Sequence, residues 1–229
     1  MALTPEEQQE LNQLNKMASY PGPISASTIK YAPQNQETSL LKYAQGEGLN
    51  KNELTAFMAQ VSHESNGFRN LEEIGGGKDT YSGGKDYKGR GYIQLTHDYN
   101  YKAMGDKLGI DLLNNPDLAA DPEIAKRIAV QWWKDNVRPG VKDWNDVYSH
   151  SRLVNYPNAT GPEQVKGYDE RVAEFQKYQK QLRPVIVEVK GGLFKIPAIQ
   201  VPEVLNDWPE ARVVPSSTSI ASERKSQRP

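Results

Sequence analysis

Leu54, Phe57, Met58 and Val61 recur at helical spacing, and Glu64 continues the same apolar stripe. Asn50 stands where a helix N-cap belongs, with Glu53 at the capping-box position and Leu49 and Leu54 placed as a hydrophobic staple. The pattern predicts a central helix over residues 51–66, stopped by Gly67. Its last turn carries a carboxyl group on an apolar face. Desolvation there favours the protonated form, which is what a general acid needs. A helix-end glutamate that faces water accounts for the same segment.

Around this helix the polar and apolar positions mark further elements. Thr4 and Pro5 open a sparse helix to about Met17, which Tyr20-Pro21-Gly22-Pro23 breaks. Residues 25–36 read as loop and 38–45 as a short helix. Gly75, Gly76, Gly77, Gly83, Gly84, Gly89 and Gly91 exclude a packed helix, so 75–91 reads as a long loop or small irregular sheet. A helix follows over 97–108, stopped by Gly109, then a turn at Asn114-Asn115-Pro116. Asp121-Pro122-Glu123 opens a helix with Ile124, Ile128 and Trp132 as its stripe. Trp144, Val147 and Tyr148 suggest a short helix. Thr160-Gly161-Pro162-Glu163 opens the last one, with Val165, Tyr168, Val172 and Phe175 inward. Beyond Pro184, Val185–Val189 and Leu193–Ile196 read as a hairpin about Lys190-Gly191-Gly192. The remainder, rich in proline, serine and charge, reads as an extended tail, either a linker or a segment that docks on a partner. The expected division is an N-terminal helix and linker (1–37), a catalytic domain (38–183) and the tail (184–229).

Composition narrows the function. At 229 residues, with 37% hydrophobic and 25% charged positions, the chain can bury a good core. A formal net charge of -1 offers no electrostatic case for nucleic acid, and no apolar run is long enough for membrane insertion. Cysteine is absent and the N-terminus lacks a basic start and apolar run. Synthesis in a reducing cytoplasm without a signal peptide is the expectation.

Three chemistries fail on spacing. Gly77-Lys78 and Gly84-Lys85 are each followed by aspartate, not the Ser or Thr of a phosphate-binding loop. His63-Glu64 lacks a second histidine four residues on, where Gly67 stands; with His97 and His150 the only others, no metal site is expected and no cofactor is implied. A Gly-x-Ser-x-Gly element is missing. Paired carboxylates remain: Glu64, with Glu72 or Glu73 brought across by chain reversal near Gly67 or Gly75. Two such acids are the minimal set for glycoside hydrolysis. Tyr81, Tyr87, Tyr92, Tyr99 and Tyr101 could supply ring faces, and Gln94, Thr96 and Asn100 hydroxyl partners.

Four separated blocks then carry a resemblance. His63-Glu64-Ser65-x-Gly67-Phe68, Lys88-Gly89-Arg90-Gly91-Tyr92-Ile93-Gln94-Leu95-Thr96-x-x-x-Asn100-Tyr101, Leu112–Ala119 and Trp132-Trp133 stand in order. Over roughly residues 38–180 the chain resembles glycoside hydrolase family 19, which holds chitinases and bacteriophage endolysins. The resemblance implies a mainly α, lysozyme-like, two-lobed domain that inverts the anomeric centre, with carboxyl groups about 6.5–9.5 Å apart. It implies Glu64 as general acid, Glu73 (or Glu72) as general base and Thr96 as holder of the attacking water. It further implies Gln94, Asn100 and Asn155 as substrate amides, Arg90 as a cleft support, and Arg171 as the arginine paired with a catalytic acid. Tyr92 is counted with the substrate-binding set, and His63 is assigned to orienting the site. The short, cysteine-free form looks like the bacterial and phage branch, whose expected substrate is peptidoglycan. Asn155-Tyr156-Pro157 departs from the family's late Asn-Gly-Gly.

Overall fold

The computed structural model describes residues 33–215. The helix expected over 4–17 and the chain beyond 215 lie outside the described residues. The protein is mainly α-helical, as expected, with a small antiparallel sheet of three strands. It packs as two compact units, one running to Tyr178 and the other taking up from Gln179.

In the first unit, α1 (Pro33–Gly46) leads into α2 (Lys51–Glu64). Residues 33–36 are therefore helical rather than loop, with Pro33 at a first-turn position where its missing N–H costs nothing. The Asn50 side chain caps α2, accepting from the Asn52 and Glu53 backbone N–H groups at 3.1 and 3.2 Å. Glu53 does not complete a capping box. Its buried carboxylate accepts instead from Trp133 Nε1 at 3.1 Å and from Arg138 Nε at 2.6 Å. Every residue from Glu53 to Ser62 is buried. The single stripe read from the sequence is thus too narrow: α2 is surrounded on all sides, and Gln60 and Ser62 are inside with the apolar residues.

Next come α3 (Asp98–Leu108), α4 (Pro122–Asn136) and α5 (Val147–Asn155). Gly109 closes α3 with φ +68°, and Asp121 caps α4 by accepting from Glu123 and Ile124 N–H at 2.9 and 3.1 Å. Leu95, Tyr101, Met104, Leu112 and Ile128 form one core cluster, with Ile124 and Trp132 packed at its margin. Burying each such side chain is worth roughly 1.5–3 kcal/mol. The last helix, α6 (Tyr168–Gln181), starts later than expected. Pro162–Gln164 makes a separate turn of 3-10 helix, and Gly167 at φ +67° sets the entry to α6. Arg171, Phe175 and Tyr178 are its buried face.

In the second unit, β1 (Pro184–Val189) and β2 (Gly192–Pro197) form the expected hairpin, in register Val189↔Gly192. Lys190 and Gly191 have φ +50° and +80°, the two left-handed positions that match the strand twist. The following chain is not simply extended. Helix α7 (Val201–Asp207) and strand β3 (Arg212–Val214) follow, and β3 pairs with the other edge of β1. Val185, Val187, Ala198 and Val201 bury against one another there. Pro197 ends β2, and Pro202 sits in the first turn of α7.

Candidate active site

Helix α2 ends with its polar residues held by α5 and α6. Glu64, with 21% of its side chain exposed, accepts a hydrogen bond from Arg171 Nη2 at 2.5 Å. Arg171 is itself buried, and its other donors go to the Gln60 Oε1 and, at 3.1 Å, to the Lys166 carbonyl. Asn155 anchors that loop, accepting from Lys166 N–H at 2.8 Å. His63 lies against Gly167, where an added Cβ would meet the imidazole at 2.7 Å. Burial pushes the His63 imidazole below its ordinary value; the Arg171 charge acts in the same direction, and Glu64 opposes it.

Glu73 is held by a different device. After Glu64 the chain reverses through Asn70, whose N–H donates to the Ser65 carbonyl at 3.0 Å. It then runs antiparallel to 89–91, bridging Glu72 to Arg90, while Arg90 bridges to Leu95. This miniature ladder borders the glycine-rich span, which is itself the long loop of the two alternatives expected there. Glu73 and Thr96 each stand one residue beyond its outer bridges. The Glu73 carboxylate accepts from Tyr81 Oη at 3.0 and 3.1 Å and from Gly89 N–H at 3.1 Å. Glu72, in contrast, is more exposed and ion-paired with Lys88 at 2.6 Å. Of the two acids, Glu73 is the one that the ladder orients. Gly89 has no room for a side chain, since a Cβ would meet Gln94 Oε1 at 2.8 Å. Tyr81 lies edge-on to His97, and His97 stacks on Tyr99, which is 56% exposed.

The other sequence-predicted residues divide clearly. Gln94, at φ +52°, turns its amide onto the Gly91 carbonyl at 3.0 Å, and Asn100 Nδ2 donates to the Thr96 carbonyl at 2.9 Å. Both amides brace the ladder and the start of α3. Arg90 is a brace as well: buried, it donates to the Asp86 carbonyl at 2.6 Å, to Tyr101 Oη at 3.1 Å and to Asp117 at 2.6 Å. Tyr92 is corrected outright. Only 1% exposed, with its ring edge against Phe68, it presents no face to a sugar. Tyr101 is buried too, and Tyr87 packs against it while donating to the Leu113 carbonyl at 2.9 Å. Of the five tyrosines read as ring faces, Tyr81 and Tyr99 remain. A hollow of about 550 Å³ lined by Asn115, Asp117 and Asp121 contains none of the predicted acids.

Sequence reasoning missed Gln60, His150 and Ser151. All three are buried, with Gln60 Nε2 2.9 Å from Ser151 Oγ and 3.1 Å from His150 Nδ1. A signal was present: Gln60 precedes Glu64 by one helical turn and interrupts an otherwise apolar run.

Residues 75–168 match the family model described as chitinase class I, glycoside hydrolase 19. An endochitinase of Arabidopsis thaliana is 47% identical over 97 residues, which cover 39% of this chain and 34% of that protein. Chitinase 11 of Oryza sativa subsp. japonica is 37% identical over 167 residues, covering 58% and 63%. The chain thus spans between about a third and just under two thirds of these curated relatives. Among solved structures, chitinase C from Streptomyces griseus HUT6037 aligns at 29% identity and a TM-score of 0.48, over 74% of this chain and 90% of that one.

Proposed function

We propose that the protein is a glycoside hydrolase of family 19, whose model matches residues 75–168, that it hydrolyses β-1,4 bonds of N-acetylhexosamine glycans with inversion, and that its substrate is peptidoglycan. One observation carries the chemistry: two partly exposed carboxyl groups are held by unlike partners, Glu64 by Arg171 and Glu73 by Tyr81 and the Gly89 N–H. In this reading Glu64 protonates the leaving glycosidic oxygen. Glu73 takes the proton of a water molecule that attacks the opposite face, with Thr96 orienting that water. The Tyr81 and Gly89 donors hold the Glu73 carboxyl group in one orientation. Arg171 fixes the rotamer of the acid.

Peptidoglycan is favoured over other glycans by the short catalytic segment without cysteine. The setting proposed is lysis of a bacterial wall, by an endolysin released from the host cytoplasm or a hydrolase carried in a virion, where the second unit meets a virion protein. A second reading, chitin hydrolysis, is favoured by the names of the relatives. Digestion of purified sacculi and of chitin oligomers side by side decides between them. Mass spectrometry of the new reducing ends identifies the bond cut, and proton NMR of the first product gives the anomer. Glu64→Gln is expected to lower the rate by about 10²–10⁴-fold. Undiminished wall clearing by the folded variant refutes the assignment.

A further inference from the structure

The hydrogen bonds inside the first unit have a direction. Gln60, 1% exposed, has one amide with two ends and three polar neighbours. Its Nε2 donates to Ser151 Oγ at 2.9 Å and faces His150 Nδ1 at 3.1 Å, while its Oε1 receives Arg171 Nη1. The reverse orientation would set two N–H donors against a guanidinium that only donates, so the amide has one workable setting. That setting requires a lone pair on His150 Nδ1, hence a neutral ring with its proton on Nε2. His150 Nε2 is one of four buried side-chain atoms without a hydrogen-bond partner among the described residues. Leaving a buried N–H unpaired costs roughly 1–3 kcal/mol. The structure tolerates that cost at a position where Nδ1 must act as an acceptor.

We propose that Gln60 is a positioning residue for the acid: His150 and Ser151 orient its amide, the amide fixes the Arg171 guanidinium, and Arg171 in turn sets the rotamer of Glu64. The proposal rests on the reading of Glu64 as the proton donor. Arg171 has three anchors, the Lys166 carbonyl, Gln60 and Glu64. Without Gln60 the guanidinium is free to rock about its Nε bond. The remaining charges about His63 come from Glu170 and Glu174 on α6, and neither replaces the lost acceptor in the buried layer.

The test compares full-length wild type with Gln60→Leu, Gln60→Glu and Ser151→Ala. Each is checked for folding, and hydrolysis of chitin oligomers and peptidoglycan is measured across pH. In parallel the Glu64 carboxyl is titrated by carbon-13 NMR, which needs no substrate. Gln60→Leu is expected to lower kcat about 10-fold with KM nearly unchanged, and to move the Glu64 midpoint. Gln60→Glu returns an acceptor to Arg171 and recovers part of kcat, but with the pH profile displaced upward, because a second carboxylate favours proton retention nearby. Ser151→Ala, the mildest change, gives a smaller effect of the same sign and covers the case in which Gln60→Leu does not fold. A folded Gln60→Leu or Ser151→Ala protein with unchanged midpoint and unchanged kcat overturns the proposal. So does a loss of kcat that only tracks the melting temperature. If wild type cuts no glycan, the functional reading fails alone, and the NMR midpoint still decides whether the relay exists.

Discussion

Tyr81 shows at the scale of one side chain how the site depends on groups outside the family-like blocks. Its hydroxyl reaches both oxygens of Glu73. Tyr81→Phe removes both contacts and is expected to lower kcat by about 10-fold, a loss of about 1.4 kcal/mol in transition-state stabilisation. Steady-state kinetics beside a thermal melt check this; an unchanged kcat would remove Tyr81 from the base's environment. Gly167 is the second single position with a sharp consequence. It combines φ +67° with an imidazole where a Cβ would go. Gly167→Ala should cost on the order of 1–3 kcal/mol and displace His63, read as a lower melting temperature and a shifted His63 NMR signal. The place of Glu64 at the end of α2 was legible in the sequence because it continued an apolar stripe, while its proposed role came from the family-like blocks. The difference between Glu72 and Glu73 was not, since adjacent residues on a short ladder differ only in which partner each meets: Lys88 for one, Tyr81 and Gly89 for the other.

Among the elements, the caps were the most readable features. Asn50 and Asp121 each satisfy two N–H groups of the helix they open. Replacing Asp121 by alanine is expected to cost about 1 kcal/mol, with a melting temperature some 2–4 °C lower. A denaturant titration with unchanged slope would assign the loss to the cap itself. The hairpin about Lys190 and Gly191 was equally legible, since a two-residue turn with both φ positive has few solutions. The start of α6 was not. Thr160-Gly161-Pro162-Glu163 has every local mark of a helix start, yet the helix waits for Tyr168. Tertiary contacts override the local signal here: the intervening loop must present the Lys166 N–H to Asn155 and its carbonyl to Arg171.

Over the whole molecule, buried titratable groups make stability depend on pH. Burial lowers His150 to about 4 from an ordinary value of 6.5. Between these values the unfolded chain holds a proton on this ring that the folded chain does not, so stability rises with pH from about 4 to 6.5 and is lost as acid is added. The full effect is on the order of 3 kcal/mol. Glu37, raised by burial beside Tyr178, acts in the opposite sense and destabilises as pH rises above the ordinary carboxylate range. Denaturant melts at pH 4.5 and 7 should therefore differ less in His150→Asn than in wild type. An equal difference in both would show that His150 is not the group responsible.

The central helices and their caps, the hairpin turn and the glycine-rich interruption were all local properties, and the amino-acid sequence alone determined them. Local propensity and periodicity act over a few residues, which is the range that a sequence pattern records. Folding decided the rest: the burial of Tyr92 and Arg90, the different partners of Glu72 and Glu73, the β3 strand returning to β1, and the amide of Gln60 between α5 and α6. Each depends on which group arrives from far along the chain, as Arg171 meets Gln60 and Glu64 and as Ser151 meets Gln60. Hydrogen-bond partners at such separation leave no period to read, because their geometry is set by packing and not by spacing.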